Sequence, residues 1–148
     1  MLYLQFIVDK NRYAVSARDV VEVVPLVSLH TIPKVPQYIA GLMNYHGDSV
    51  PVVDVTMLMQ GRKTSWNLST RIVLVNIKTA NNKIKVLGLM AEKLTEFMRI
   101  DDSAFQASGV KHQDAVYLGD VLTDRNGLLQ RLSIEKIIPM ETQELLFH

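Results

Sequence analysis

The chain has 148 residues, a hydrophobic content of 48%, 21% charged residues, a formal net charge of +1 and no cysteine. The near-neutral balance excludes the basic bias typical of nucleic-acid-binding domains, and the lack of cysteine excludes disulfides and thiolate metal sites. No apolar run approaches the roughly 20 residues of a membrane-spanning helix, and no secretion signal is visible at the start. We therefore expect a cytoplasmic protein without membrane insertion, built as one domain or two small subdomains.

The first half of the chain reads mainly as short strands. Apolar and β-branched residues predict strands over 2–8, 12–15, 39–45 and 50–53. Ser16 is placed to cap a short helix over 17–24, which Pro25 would end. The segment 26–32 reads as extended chain.

The hairpin in the middle of this half has the most informative local pattern. Gly47, after His46, suits a tight turn that needs positive φ. Pro51 cannot donate a ladder hydrogen bond, which predicts an edge strand or a bulge. Asp54 is placed to cap a short helix over 55–58.

The second half of the chain also reads mainly as short strands. Strands are predicted over 70–77, 84–90, 116–122 and 128–132. We expect the 84–90 strand to continue, with a kink or bulge, through Leu94 and Phe97 to Met98. Asp101 or Asp102 can cap a helix, and a terminal helix is expected over 141–146.

Both halves end alike. A turn containing Gly47 or Gly127 leads to a strand, a capping residue (Asp54 or Ser133) and a short apolar helix. This repetition favours two small β-barrels over one open sheet. One barrel is expected to span about 33–77, and the other to combine the chain's start with the remaining second-half strands.

The ionisable residues form no catalytic pattern. The histidines, none of which is spaced from a second ligand as in metal sites, are His30, His46, His112 and His148. His46, Asp48 and Ser49 lie on one turn and cannot form the hydrogen-bond chain of a catalytic triad. No phosphate-binding or dinucleotide-binding motif is present. We expect no enzymatic activity, no metal and no cofactor.

Apolar residues are in excess on short elements, in the run 20–24 and between Leu89 and Met98. Most belong to a core, but a small domain leaves some at its surface. Apolar surface rimmed by charges, here Glu22, Glu92 and Glu96, is typical of a docking face.

Several segments occur in an order and spacing that is specific only in combination. They are Tyr13-Ala14-Val15, Val20-Val21-Glu22-Val23, IPKVP at 32–36, IAGLMNYHG at 39–47, VPVVD at 50–54, TRIVLV at 70–75, LGL at 87–89 and YLG at 117–119. In these segments, over nearly its full length, the chain resembles the CheW family, the coupling adaptors of bacterial chemosensory arrays.

The resemblance implies a mainly β fold of two packed five-stranded SH3-like barrels with short helices, forming one CheW-like domain over 1–148. It implies a non-catalytic adaptor with two protein partners. These are the cytoplasmic tip of a methyl-accepting chemoreceptor and the regulatory domain of a CheA-type histidine kinase. The protein would then be cytoplasmic and associated with membrane-bound receptor arrays.

The resemblance also implies a receptor groove between the two barrels. One of its two elements carries the candidate residues Val20, Glu22 and Val23. The other carries Leu94 and Phe97, and Gly88 is expected upstream on the same strand. The family usually has arginine at the position of His46. Arginine is a permanently charged, forked donor, whereas histidine is smaller and changes charge near neutral pH. His46 is therefore a candidate partner-interface residue in a divergent system.

Two other classes of function stay open. The region 117–122 and the short N-terminus resemble Wsp-type surface-sensing clusters, whose output is a diguanylate cyclase, and scaffolds of this fold also fit twitching or developmental signalling. Gene neighbourhood separates these pathways. An enzyme or ligand-binding barrel is the other class, and a deep polar pocket with convergent ionisable groups would favour it.

Overall fold

The computed structural model of the protein describes residues 1–111 and 113–147, so His112 and His148 lie outside the described residues. Strand accounts for 49% and helix for 15%, which confirms the mainly β prediction. The strands are β1 (Leu2–Val8), β2 (Asn11–Ser16), β3 (Val20–Pro25), β4 (Ile39–Tyr45), β5 (Asp48–Asp54), β6 (Arg71–Lys78), β7 (Ile84–Ala91), β8 (Lys93–Arg99), β9 (Leu118–Asp124) and β10 (Gly127–Leu132). The α-helices are α1 (Val55–Gln60) and α2 (Met140–Leu146).

The strands form two five-stranded sheets. Sheet A has the order β8-β1-β2-β10-β9, and sheet B has the order β3-β6-β7-β5-β4. In each sheet one pair is parallel, β10 with β2 and β5 with β7, and the other pairs are antiparallel. The two sheets therefore have the same ladder, with β8, β9, β10, β1 and β2 equivalent to β3, β4, β5, β6 and β7.

This equivalence explains the repetition seen in the sequence. One copy of the unit is continuous, from β3 to β7, and the other is split between β8–β10 and the start of the chain. The predicted boundary of 33–77 was wrong, because sheet B also contains β3 and β7.

Three hydrophobic cores result from the alternation of side chains along the strands. The largest lies between the sheets and receives Leu4 and Phe6 of β1, while Tyr3 faces a smaller core belonging to sheet A. In β6, Val73 joins the core between the sheets and Ile72 joins a core belonging to sheet B. The central strands are apolar in near-continuous runs because both of their faces are buried.

The outer edges of β4 and β9 are each covered by one residue from a loop. His30 exchanges two backbone hydrogen bonds of 2.8 Å with Leu42, and Gln106 exchanges bonds of 2.7 and 2.8 Å with Val121. A side chain at Gly41 would bring its Cβ within 2.6 Å of the His30 carbonyl oxygen, so this approach requires glycine.

Three local predictions were wrong. Only Ala17–Asp19 is helical, as a 3₁₀ turn, because the β-branched residues that follow pair with β6 as strand β3. Pro51 lies on an interior strand, where pairing with β7 begins only at Val52. The predicted long strand breaks at Glu92, so β7 and β8 belong to different sheets.

Asp54 caps α1 as predicted. Its buried carboxylate accepts hydrogen bonds from the amides of Met57 (3.0 Å) and Thr64 (3.0 Å) and from the Thr64 hydroxyl (2.5 Å). Asp101 likewise accepts from the Ser103 amide at 3.0 Å. Ser133 precedes a 3₁₀ turn, but its side chain makes no cap hydrogen bond.

We expect Asp54→Ala to lower the free energy of unfolding by about 2–4 kcal/mol, because it removes a helix cap and leaves buried donors of Thr64 unpaired. Ser133→Ala, at the equivalent position of the other unit, should change it by no more than about 0.5 kcal/mol. Urea denaturation of both variants checks this. Equal losses in the two variants would contradict the assigned role of Asp54.

Candidate protein-docking surface

Within residues 1–111 and 113–147, two edge strands remain uncovered, β3 in sheet B and β8 in sheet A. They occupy equivalent positions, and each begins where the chain crosses from one sheet to the other. Both expose apolar side chains: Val21 is 42%, Val23 36% and Phe97 46% accessible to solvent. Soluble proteins rarely leave a hydrophobic strand edge open unless it binds something.

A β-bulge decides which residues of β3 share a face. Val20 lies opposite Val75 and Val23 lies opposite Val73, with the extra residue of the bulge between them. Val73 and Val75 belong to the core between the sheets. Because opposite residues on paired strands share a face, Val20 and Val23 also lie on that side. Glu22 lies opposite a residue of sheet B's own core, so it is on the other face.

Strand β8 has the same arrangement. Leu94 lies opposite Phe6 and Phe97 lies opposite Leu4, again with a bulge between the two pairs. Leu4 and Phe6 belong to the core between the sheets. In both strands the bulge therefore places residues three apart on one face, where a regular strand would place them on opposite faces.

We use the name edge surface for four residues, Val20 and Val23 on β3 and Leu94 and Phe97 on β8. Val20 and Leu94 are partly buried and both pack against the core between the sheets, while Val23 and Phe97 are exposed. The edge surface thus continues that core outward along two equivalent strands. Four of the six residues predicted for the groove belong to it.

Glu22 and His46, predicted as separate interface positions, are joined by a residue that the sequence analysis missed. The Tyr45 hydroxyl donates a hydrogen bond of 2.5 Å to Glu22, and the Tyr45 and His46 rings lie 4.3 Å apart. The bond to Glu22, with a smaller effect of burial, raises the pKa of Tyr45. Twenty-three positions separate Tyr45 from Glu22, and no local pattern connects them.

The turn that carries His46 is well defined. His46 and Gly47 have φ of 52° and 88°, as in the hairpin turns that match strand twist. The Asn44 side chain accepts a hydrogen bond of 2.9 Å from the Gly47 amide. The positive φ values of His46 and Gly47 confirm the predicted turn. His46 is exposed on it.

Gly88 lies elsewhere than predicted. It is on β7, not on the strand of Leu94 and Phe97, and it is buried. A Cβ at this position would lie 3.0 Å from the methyl groups of Ile72 and Val52. Gly88 therefore allows close packing inside sheet B and presents no side chain to a partner.

The crossover into β8 is held by an ionic cluster. Glu92 accepts hydrogen bonds from Arg62 (2.7 Å) and from the Ser65 amide (2.8 Å), and Arg62 also pairs with Asp9 at the β1–β2 turn. The bond from Arg62 lowers the pKa of Glu92 despite partial burial, and both carboxylates raise the pKa of Arg62. This cluster lies where the chain leaves sheet B after β7 and enters sheet A as β8.

The polar cavity that would favour a ligand-binding protein does exist, with a volume of about 460 Å³. Four of its ionisable side chains bond one another, since Tyr3 donates to Asp102 (2.6 Å) and Arg131 donates to Asp120 (3.0 Å) and Tyr3 (3.3 Å). The Arg131 guanidinium also lies 4.4 Å from the centre of the Phe105 ring. Such mutual pairing is typical of a structural network.

Two further features are absent from residues 1–111 and 113–147. These residues contain no group of three or more histidine, aspartate or glutamate side chains placed to hold a metal ion. In the same ranges, no helix is both long enough and apolar enough to cross a membrane.

Comparison with known proteins agrees with this architecture. Residues 2–142 match the CheW-like domain family. The chain is 23% identical over 126 residues to the chemotaxis protein CheW of Helicobacter pylori, covering 85% of this chain and 67% of that protein. It is 22% identical over 141 residues to CheW of Bacillus subtilis, covering 94% and 87%.

The fold is similar to that of a solved relative. The crystal structure of the scaffolding protein TtCheW from Thermoanaerobacter tengcongensis superimposes with a TM-score of 0.83 at 23% identity, covering 98% of this chain and 97% of that one. The predicted mainly β, CheW-like fold with two five-stranded SH3-like barrels is confirmed, although the two sheets are not closed into complete barrels.

We expect Glu92→Gln to reduce stability at neutral pH and to have no effect in acid. Because folding lowers the pKa of Glu92 below its ordinary value of 4.5, its contribution is complete above that value and disappears as pH falls through the lowered one. Urea denaturation from pH 7 to pH 3 measures the difference from wild type. Glu96→Gln, an exposed position on β8 without an ion pair in the described chain, is the control. A difference from wild type that does not become smaller between pH 7 and pH 3 would contradict the assignment.

Proposed function

Because the chain belongs to the CheW-like domain family, we propose that it is a non-catalytic chemotaxis adaptor that couples a methyl-accepting chemoreceptor to a CheA-type histidine kinase. Two curated relatives and a solved scaffolding protein of similar fold support the adaptor role. In this proposal residues 1–148 act as one domain, because the largest core is shared by both sheets.

The edge surface carries the proposal. It presents exposed apolar side chains on two edge strands, next to residues that pack against the core between the sheets. The charged residues Lys93, Glu96 and Arg99 lie on the same β8 strand and are exposed, so apolar contacts are bordered by polar ones. This is the composition of a transient docking site. We assign it to the cytoplasmic tip of the receptor, whose apolar side chains would cover Val23 and Phe97.

The second partner is assigned to a different surface. The exposed His46 turn stands at the end of the β4–β5 hairpin, and Glu22 beside it faces away from Val20 and Val23. A partner on this turn would leave the edge surface free. We assign the turn to the kinase regulatory domain, so that receptor and kinase bind together. The adaptor would then be cytoplasmic and held at membrane receptor arrays.

A pull-down with the purified protein from its native cell identifies the pathway. Recovery of a methyl-accepting receptor together with a CheA-type kinase supports the proposal. If the recovered kinase regulates a diguanylate cyclase or pilus motility, the adaptor role holds but the output is surface sensing or twitching. Recovery of neither partner would count against receptor–kinase coupling.

We expect Phe97→Ser and Val23→Ser each to weaken binding of a receptor-tip fragment at least about tenfold, because each removes exposed apolar contact area. Both residues are exposed, so the free energy of unfolding should change by less than about 1 kcal/mol. Isothermal titration and urea denaturation measure the two effects.

Leu128→Ser is the matched control for these variants, because Leu128 is 61% exposed on β10, away from the edge surface. It should bind the receptor fragment like wild type. Unchanged affinity in Phe97→Ser and Val23→Ser would refute the assignment, as would an equal loss in the control.

His46 is tested against the kinase. We expect His46→Arg to retain binding of the kinase regulatory domain and to make it less dependent on pH, because arginine stays charged from pH 6 to pH 8. His46→Ala should weaken binding by about two- to tenfold through the loss of one polar contact. Isothermal titration of the three proteins at pH 6 and pH 8 decides. Equal affinities throughout would mean that His46 is only a turn residue.

A further inference from the structure

We propose that Tyr45 is a positioning residue that holds the open edge strand β3, and with it the β3 side of the edge surface, against the β4–β5 hairpin. The consequence for receptor binding rests on the proposed function, whereas the effect on the strand does not.

Strand β3 has little support on its outer side. It pairs with β6 along one edge only, and β3 and β4 are the two end strands of sheet B. Within the described residues, the bond from Tyr45 to Glu22 is the one side-chain hydrogen bond that β3 makes. This bond joins the two ends of the sheet where backbone pairing does not. An edge strand paired on one side opens more readily than a central one.

The bond is placed where it does not obstruct docking. Glu22 lies on the face of β3 opposite to Val20 and Val23, because the bulge separates their orientations. Tyr45 can therefore restrain the strand from the side of sheet B's own core. The apolar side chains of the edge surface stay free for a partner.

Tyr45 is itself well fixed. It is the last residue of β4, directly before the turn, and its ring packs against the core of sheet B and beside the His46 ring. The turn is closed by the pairing of Tyr45 with Asp48 and by the Asn44–Gly47 hydrogen bond. A hydroxyl group mounted on a rigid hairpin can hold a flexible edge, and a hydrogen bond to a carboxylate is among the stronger kinds.

The bond is tested first without any partner. Tyrosine ring ¹³C chemical shifts, followed by NMR against pH, report the titration of Tyr45. Removing the charge in Glu22→Gln should lower the pKa of the Tyr45 phenol toward its ordinary value. Amide hydrogen exchange of β3 should become several-fold faster in Tyr45→Phe, while exchange in β1 and β6 stays unchanged. An unshifted phenol titration, or unchanged exchange in β3, would overturn the inference.

The role in docking is tested by isothermal titration with a receptor-tip fragment. Tyr45→Phe, which removes only the hydroxyl, should weaken binding about three- to tenfold. Glu22→Gln and the double variant complete a double-mutant cycle, in which the two effects should not add. Tyr38→Phe is the matched control, since the Tyr38 ring is also partly buried and its hydroxyl makes no hydrogen bond to the described residues.

The outcomes separate this inference from the proposed function. If Phe97→Ser weakens receptor binding and Tyr45→Phe does not, the positioning role is wrong and the docking assignment survives. If neither variant affects binding, the docking assignment is wrong. In that case faster exchange of β3 in Tyr45→Phe still upholds the restraint on the strand, and unchanged exchange overturns it.

Discussion

The core between the two sheets is the feature on which the rest of the molecule depends. Side chains from both units meet there, among them Phe6, Val15 and Val75, each at most 2% exposed. Burial of such side chains contributes about 1.5–3 kcal/mol each, so neither unit would be expected to keep its shape with this face in water. The shared core makes the two units one body, although each sheet also encloses a core of its own.

The path of the chain follows from this shared core. One repeat is continuous and the other is divided between the two ends of the chain, so the chain crosses between sheets twice. Each crossing leads directly into an edge strand, β3 or β8, and these strands carry the bulges that turn two apolar residues to one side. The proposed docking surface is thus a by-product of how the repeats are joined. Its two halves are similar because the units are.

Three polar contacts join parts of the chain where a strand ends or where the chain crosses between the sheets. Asp54 joins the end of β5 to the loop at Thr64, and Glu92 joins the β7–β8 crossover to Arg62. Tyr45 joins the ends of the sheet B ladder. Each of these contacts links residues at least 10 positions apart. They therefore restrain the places where the backbone ladders give no support.

The sequence alone determined the local features, because their causes are local. The turn at His46-Gly47 follows from the conformational freedom of glycine, and the cap at Asp54 follows from a carboxylate three residues before a free amide. The strands on either side of the Gly47 and Gly127 turns were predicted from their apolar residues. The run at 20–24 was misread as helix, since pairing with β6 decides its state and apolar residues alone do not.

Only the tertiary structure decided which of the predicted site residues share a surface. The bulges put Val20 with Val23 and Leu94 with Phe97, and moved Glu22 to the opposite face. Gly88 proved to be buried, and Tyr45 connected Glu22 to the His46 turn. Strand register depends on long-range pairing, and a shift of one residue reverses every side chain. No local pattern of residues encodes that pairing, which is why the elements were predictable from the sequence and the surface was not.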